Sequence, residues 1–135
     1  VKELMPSFNK TLMMEKDGEI LEDTFEHEQN LIISEAGKTF LFAGCAHNGI
    51  VNIIKHFDDL KKRNADYVFG GFHLYNHSTK KSEDSSIVQQ IGETLNKTNG
   101  KYYTCHCTGL ESYNLLKTIM GDQIEYLATG RVLKL

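Results

Sequence analysis

The part of the sequence that decides the fold is residues 39–54, TFLFAGCAHNGIVNII. Its first five residues carry β-branched, aromatic and aliphatic side chains, which are typical of a strand. After the turn at residues 44–49, apolar residues recur at helical spacing as far as Leu60. The stretch therefore predicts a strand that passes through a glycine-containing turn into an amphipathic helix, with Asn48 as the expected N-cap.

The same alternation of strand and helix continues on both sides of this unit. The expected later strands are residues 67–74, 101–105, 124–128 and 132–135, and the expected later helices cover residues 87–95 and 110–120. Upstream, the Asp17-Gly18 pair and the turn at residues 35–38 predict two β-hairpins. We therefore expect an α/β fold with a mixed sheet and about three helices, in a single domain covering residues 1–135.

Composition limits the classes of function that the chain can have. The 135 residues are 40% hydrophobic and 24% charged, with a net charge of −3, which is typical of a globular protein. No basic excess supports a nucleic-acid partner, and no apolar run approaches the roughly 20 residues that cross a bilayer. Three cysteines are an odd number, which favours free thiols in a reducing cytoplasm. We expect a cytoplasmic protein with neither a nucleic-acid nor a membrane partner.

Three histidines occupy similar places along the predicted fold, at turns next to strand ends. His47 precedes the first helix, His73 follows its strand, and His106 precedes the third helix. Ligands of layered α/β folds bind beyond strand ends, and imidazole is a good zinc ligand. From the residues alone, a structural role remains open for each of the three. The remaining histidines are expected to be solvated or at the surface: His27, His56 and His77.

Four short blocks, taken together, resemble one family. They are residues 28–31 (EQNL), 44–52 (GCAHNGIVN), 70–74 (GGFHL) and 106–109 (HCTG). The blocks resemble the metallo-β-lactamase-fold metal-dependent hydrolases that carry the name dihydropterin-ribofuranosylaminobenzene phosphate synthase, and they occur in that family's order from about residue 25 onward. The resemblance implies the C-terminal half of an αβ/βα sandwich with a metal site at the sheet edges.

The resemblance also implies roles for particular residues. It assigns metal ligation to His47 and His106, with zinc or another divalent metal as the cofactor. It places His73 at or beside the same pocket, where Thr108 is also expected. Cys45 stands where many members of the wider superfamily have a metal-bridging aspartate, so it too is a candidate for the metal or substrate pocket.

The chain departs from the family in one respect that matters for activity. The superfamily's main ligands come from a His-x-His-x-Asp-His motif, and this sequence contains no such string. A hydrolytic zinc site needs about three protein ligands and an open position for water, so the site is expected to be incomplete. We therefore expect a fragment or natural half of a hydrolase that acts on a small-molecule substrate, inactive alone. Its expected partner is an N-terminal half, or a second copy bound through an exposed sheet face.

Two other functions remain open from the sequence. The first is a non-catalytic assembly module that binds a partner through its sheet and keeps the metal residues as relics. The second is a small redox or metal-sensing domain built on Cys45, Cys105, His106 and Cys107. From the residues alone, Cys45 and Cys105 are expected to be small apolar residues rather than ligands.

Overall fold

The computed structural model describes residues 2–135, and within that range the chain forms nine strands and three α-helices. The strands are β1 (Met13–Lys16), β2 (Glu19–Glu22), β3 (Asn30–Glu35), β4 (Lys38–Ala43), β5 (Tyr67–Gly70), β6 (Tyr75–Asn76), β7 (Lys81–Ser82), β8 (Lys101–Thr104) and β9 (Ile124–Tyr126). The helices are α1 (Ile50–Lys61), α2 (Ser85–Asn96) and α3 (Leu110–Met120). Every helix in this range is too short to pass through a lipid bilayer.

The central element is a five-stranded mixed sheet in the order β3-β4-β5-β8-β9. β3 and β4 form the antiparallel hairpin that the sequence predicts, and β4, β5, β8 and β9 run parallel. The parallel strands are added in chain order in one direction, each after a crossover. Crossovers between parallel strands have one preferred hand, so this order places all three helices on the same face of the sheet.

The helix-covered face of the sheet holds the core. One row of inward residues crosses all five strands: Ile32, Leu41, Val68, Tyr102 and Ile124. The last four of these are at most 1% exposed. They pack with the apolar sides of the helices in one cluster, to which α1 contributes Phe57, α2 contributes Ile91 and α3 contributes Leu116. The periodic apolar residues seen in the sequence are therefore the ones that attach the helices to the sheet.

The opposite face of the sheet, called the outer face below, carries no helix from the described residues. Its two rows of side chains are Leu31, Phe42, Phe69, Tyr103 and Glu125, and Ile33, Phe40, Tyr67 and Lys101. Aromatic rings stack along the rows, with centroids 4.8 Å apart for Phe42 and Phe69. At the β3 edge, Leu31 is 58% exposed and Ile33 is 41% exposed. The outer face is thus apolar and partly open to solvent.

Two local expectations need correction, and one short hairpin was not expected. Asn48 does not cap α1: the N-cap position is Gly49, with no side-chain hydrogen bond, because the Asn48 amide is used elsewhere. Residues 132–135 do not form a strand, and Val132 is 83% exposed, since the chain has left the sheet. The polar loop at residues 75–85 contains the short β6–β7 hairpin. Helix α2 is capped by Asp84, whose carboxylate accepts a hydrogen bond from Ser86 N.

Candidate metal centre

A cavity of about 430 Å³ lies beside the carboxyl ends of β4, β5 and β8. The side chains with metal-binding atoms along its wall are Cys45, His47, His73, His77, His106 and Cys107. Parallel strands bring their carboxyl ends to one sheet edge, and loops leaving that edge commonly bind ligands. The three turns that the sequence singles out therefore meet at one cavity.

The turn between β4 and α1 is fixed by the buried carboxylate of Glu28. This group accepts hydrogen bonds from His47 N at 2.6 Å and from Asn48 N at 2.9 Å. It also accepts one from Asn48 Nδ2 at 2.7 Å. Ala46 adopts a left-handed conformation with φ 55°, which costs free energy in a non-glycine residue and persists only where the surroundings hold it. The Glu28 contacts hold this turn in place, together with a hydrogen bond of 2.6 Å that Asn9 Nδ2 donates to His47 O.

The His47 ring is oriented from two sides. Its Nδ1 lies 3.6 Å from Glu28 Oε1, and its face stacks on Phe25 with ring centroids 4.7 Å apart. A carboxylate beside Nδ1 favours a proton on that nitrogen and leaves Nε2 with its lone pair free. This is the arrangement commonly found around metal-binding histidines.

His73 is the most unusual histidine of the chain. Its backbone is left-handed, with φ 51°, and its ring stands edge-on to His47 with centroids 4.4 Å apart. Burial, together with the neighbouring His47 ring, lowers the pKa of His73 to about 4, so the imidazole is neutral at physiological pH. Neither ring nitrogen has a hydrogen-bond partner among residues 2–135. Buried polar atoms are almost always paired, so these nitrogens suit a ligand that the structure does not contain.

The turn between β8 and α3 is a short 3₁₀ helix, His106–Thr108. His106 is also left-handed, with φ 51°, and its exposed ring enters the cavity wall. The Cys107 thiol is buried and donates to the Cys45 carbonyl oxygen at 3.7 Å. Burial and the nearby Cys45 raise the pKa of Cys107 to about 12.

Thr108, which we expected at the metal or substrate pocket, is instead fully buried beneath the turn. Its hydroxyl accepts a hydrogen bond from Phe72 N at 3.0 Å and shares one with Thr104 Oγ1 at 2.5 Å. These contacts tie the β8–α3 turn to the strand end that carries His73. The role of Thr108 in this arrangement is to support the turn, because no side-chain atom reaches the cavity.

Within the part of the chain that the structure describes, one group of potential ligands is tightly clustered. The Sγ atoms of Cys45 and Cys107 and a ring nitrogen of His106 all lie within 4.8 Å of one another. We call these three residues the thiol cluster. Gly71 makes room for it, since a Cβ at that position would stand 2.5 Å from Cys107 Sγ. Nitrogen and sulfur donors of this kind fit zinc and neighbouring transition metals.

The candidate site residues thus divide into two neighbouring groups on one cavity. His47 and His73 form an imidazole pair, and Cys45 and His106 join Cys107 in the thiol cluster. His77 is exposed as expected, yet its ring stacks on His106 at 5.8 Å, at the rim of the cavity. His27 and His56 are likewise exposed, away from the cavity lining.

Sequence reasoning missed two contributors to this site. Glu28 belongs to one of the four family-like blocks but had no assigned role. Cys107 was considered only in the metal-sensing alternative. The signal for Cys107 was its place next to His106, whereas nothing in the spacing connects Glu28 with His47, which lies 19 residues away.

The sheet order, the helices on one face and the ligand-bearing turns at one edge together define half of a metallo-β-lactamase fold. A solved structure of the same architecture is Tm1679, a metal-dependent hydrolase of the beta-lactamase superfamily. It matches 91% of this chain with a TM-score of 0.79 and 27% sequence identity, and the match covers 46% of that protein. The resemblance and the half-fold predicted from the four sequence blocks are therefore confirmed.

Sequence comparison points to the same family. The 7,8-dihydropterin-6-methyl-4-(beta-D-ribofuranosyl)-aminobenzene-5'-phosphate synthase of Methanocaldococcus jannaschii is 29% identical over 120 residues, which are 88% of this chain and 39% of that protein. Uncharacterized protein MJ0448 of the same organism is 27% identical over 118 residues, covering 87% of this chain and 41% of the relative. No protein-family model matches the chain. The chain spans about two fifths of the length of these curated relatives.

Proposed function

We propose that this chain is the C-terminal part of a metal-dependent hydrolase of the metallo-β-lactamase superfamily. In this proposal it supplies metal ligands, His47 and His106 first among them, and one wall of the substrate pocket. The observation that supports it most directly is the meeting of His47, His73 and the thiol cluster at one cavity beside the strand ends. The three free cysteines of residues 2–135 suit the reducing cytoplasm in which we place the protein.

The residues of this chain have separable tasks in such an enzyme. Bound zinc or another divalent ion would supply a Lewis acid and a water of lowered pKa. Glu28 holds the His47 turn and orients its ring. His73, neutral and without a partner in the described chain, offers a nitrogen lone pair to the metal or a substrate proton. Phe8, Leu12 and Tyr75 add apolar surface to the cavity for a small-molecule substrate.

The partner that we propose is the half of the fold that carries the His-x-His-x-Asp-His motif. A sandwich buries the two sheets against each other, and the outer face offers the aromatic rows that such packing requires. The relatives' greater length is consistent with a second half of similar size. That half would also supply the ligands that this sequence does not contain.

Co-expression tests this proposal. The chain is purified alone and together with a segment that carries the His-x-His-x-Asp-His motif. Hydrolysis of a panel of phosphate esters, lactones and pterin conjugates is then measured with zinc or manganese. We expect turnover only from the combined protein, with a loss of about 100-fold or more in the His47→Ala variant. The matched control is His56→Ala on the exposed side of α1, which should keep full activity. Robust turnover by the isolated chain would contradict the proposal.

The apolar outer face favours a second candidate, a non-catalytic assembly module. On this hypothesis the partner binds the sheet and the metal residues have no catalytic use. Metal analysis of the combined protein, purified without chelator, separates the two functions. Stoichiometric metal that is lost in the His106→Ala variant supports the hydrolase, whereas a stable complex that holds no metal supports the assembly module.

A further inference from the structure

We propose that this chain, without any second half, binds one divalent transition-metal ion through the thiol cluster: Cys45 Sγ, a ring nitrogen of His106 and Cys107 Sγ. All three residues line the cavity, which would leave room there for a fourth ligand. The proposal concerns the cavity of the proposed function but does not depend on it, because all three ligands come from this chain. It concerns the isolated chain, in which a two-sulfur, one-nitrogen set is available, whereas the His47 and His106 ligands are proposed for the complete enzyme.

The geometry of the thiol cluster is close to that of a bound site. With zinc–sulfur bonds of about 2.3 Å and zinc–nitrogen bonds of about 2.0 Å, tetrahedral ligand atoms stand about 3.5–3.8 Å apart. The three ligand atoms here lie within 4.8 Å of one another. Closing the site therefore needs shifts of about 1 Å, which are within the reach of small side-chain rotations.

The residues around Cys107 hold its thiol close to the other two potential metal ligands. Gly71 leaves the space that the Cys107 sulfur fills, and the Thr108 hydroxyl ties the same turn to Phe72 N. The backbone of the turn is therefore fixed from two sides. Ligands that are held by packing and hydrogen bonds form more precise metal sites than ligands on free loops.

The donor set also selects the metal. Two thiolates balance the charge of a divalent ion, and sulfur and imidazole donors favour zinc or cobalt over magnesium and calcium. Three protein ligands with a fourth position left for water or substrate are typical of catalytic zinc sites, whereas structural sites are closed by four. His47 and His73 line the same cavity.

Cobalt titration of the reduced, metal-free chain tests the proposal. We expect one equivalent of Co²⁺ to produce near-ultraviolet thiolate-to-cobalt charge transfer. Cys45→Ser and Cys107→Ser should weaken this absorption. Each should also reduce the affinity for Co²⁺ by more than about 100-fold, because loss of a residue that only supports a metal ligand already costs about 10- to 100-fold. Cys105→Ser is the matched control, because Cys105 lies beside His106 in sequence but outside the cluster. It should bind as the unmodified chain does.

A second measurement uses the unmodified chain, so its result does not depend on whether a substituted chain folds. Alkylation of the thiols with iodoacetamide, followed by mass mapping, should show Zn²⁺ protecting Cys45 and leaving Cys105 reactive. Both cysteines are of intermediate exposure, so Cys105 serves as an internal reference for the reactivity of Cys45.

Three outcomes would overturn the inference: equal protection of Cys45 and Cys105, cobalt binding without charge transfer, or charge transfer that Cys105→Ser abolishes in a folded variant. Each leaves the proposed hydrolase open to its own co-expression test.

Discussion

Residue 71 has no side chain, and this determines where the Cys107 thiol lies. A Cβ at Gly71 would stand 2.5 Å from Cys107 Sγ and 3.3 Å from the Cys105 carbonyl oxygen. In the sequence the Gly70-Gly71 pair indicates only a loosened strand end. Its function becomes visible when the β8–α3 turn, more than thirty residues away, is placed against it.

The Gly71→Ala substitution should therefore displace the Cys107 thiol. We expect a loss of about 1–3 kcal/mol in the free energy of unfolding from overpacking, and weaker Co²⁺ binding. Urea unfolding and the cobalt titration measure the two effects. Gly44→Ala is the matched control, because it lies at the neighbouring strand end with nothing within 4 Å of its added Cβ. Equal behaviour of the two variants would contradict the packing argument.

Tyr102 links a single buried residue to the pH dependence of stability. Its hydroxyl shares a hydrogen bond of 2.6 Å with Thr98 Oγ1, and burial raises the pKa of Tyr102 to about 12 from 10. The folded state thus disfavours the ionised form. The stability that this neutral tyrosine contributes is complete below pH 10 and is lost as pH rises towards 12, by on the order of 3 kcal/mol.

The Tyr102→Phe variant tests this dependence. At pH 7 we expect it to be less stable than the unmodified chain by about 1 kcal/mol, because one hydrogen bond is lost. The difference should shrink and then reverse between pH 10 and pH 12, since phenylalanine cannot ionise. Denaturant unfolding at several pH values measures this difference in stability, and the difference between the two proteins at pH 7 serves as the control. A difference that stays constant across this range would refute the assignment.

The site residues could be predicted where the local sequence pattern puts them beside a strand end. His47, His73 and His106 each stand beside a strand end that apolar runs and glycines reveal, and all three reach one cavity. Thr108 was expected there and is buried, because the sequence does not show which side of a 3₁₀ turn faces the core. Left-handed conformations at Ala46, His73 and His106 are equally invisible in the sequence.

At the scale of elements, helix α1 begins in an unusual way. It has no side-chain cap, and the preceding turn is held instead by the Glu28 carboxylate from the loop before β3. A capping residue can be recognised in sequence because it lies next to its helix. A carboxylate that arrives from a separate segment cannot, and this is why Asn48 was assigned the wrong role.

Replacing Glu28 by alanine should release this turn. Three hydrogen bonds to a charged, buried acceptor are lost, and we expect the free energy of unfolding to fall by about 2–3 kcal/mol. Urea unfolding gives the value, and the histidine NMR signals report whether His47 changes its environment. Glu26→Ala, two residues earlier and exposed, should change neither quantity. An unperturbed His47 signal in a folded Glu28→Ala variant would count against the positioning role.

The order of elements was the most predictable feature of the fold. Alternating strand and helix patterns give β4, α1, α2, β8 and α3 to within about two residues, because each element has a distinct apolar period. β5 ends at Gly70, before the predicted end at residue 74, and the β6–β7 hairpin was not predicted. The sequence overestimates strand content at the C-terminus, since Val132 and Leu135 look like strand residues but are exposed. A high local β-propensity predicts a strand correctly only where a neighbouring strand is available for pairing.

At the scale of the whole molecule, the helices occupy one side of the sheet and the apolar outer face occupies the other. The exposed leucine and isoleucine of β3 stand at the edge of the aromatic rows. An apolar surface of this kind in contact with water favours association. We therefore expect the isolated chain to self-associate as its concentration rises.

The Leu31→Glu variant should abolish this association, because it places a charge on the outer face. Sedimentation velocity over a concentration series measures the effect. The matched control is Leu60→Glu on α1, because Leu60 is 60% exposed and Leu31 is 58% exposed, but Leu60 lies on the helical side. If both variants associate as the unmodified chain does, the outer face is not the contact surface.

The succession of parallel strands also has a consequence for the time order in which the candidate metal-binding residues come together. Cys45, His73 and Cys107 leave β4, β5 and β8, which are consecutive neighbours in the sheet. The crossovers follow one another along the chain, so each neighbouring pair of strand ends can meet without the segments that come later. A nascent polypeptide would thus be able to gather its sulfur and nitrogen donors as soon as the segment ending at α3 has emerged, before β9 is added at the edge.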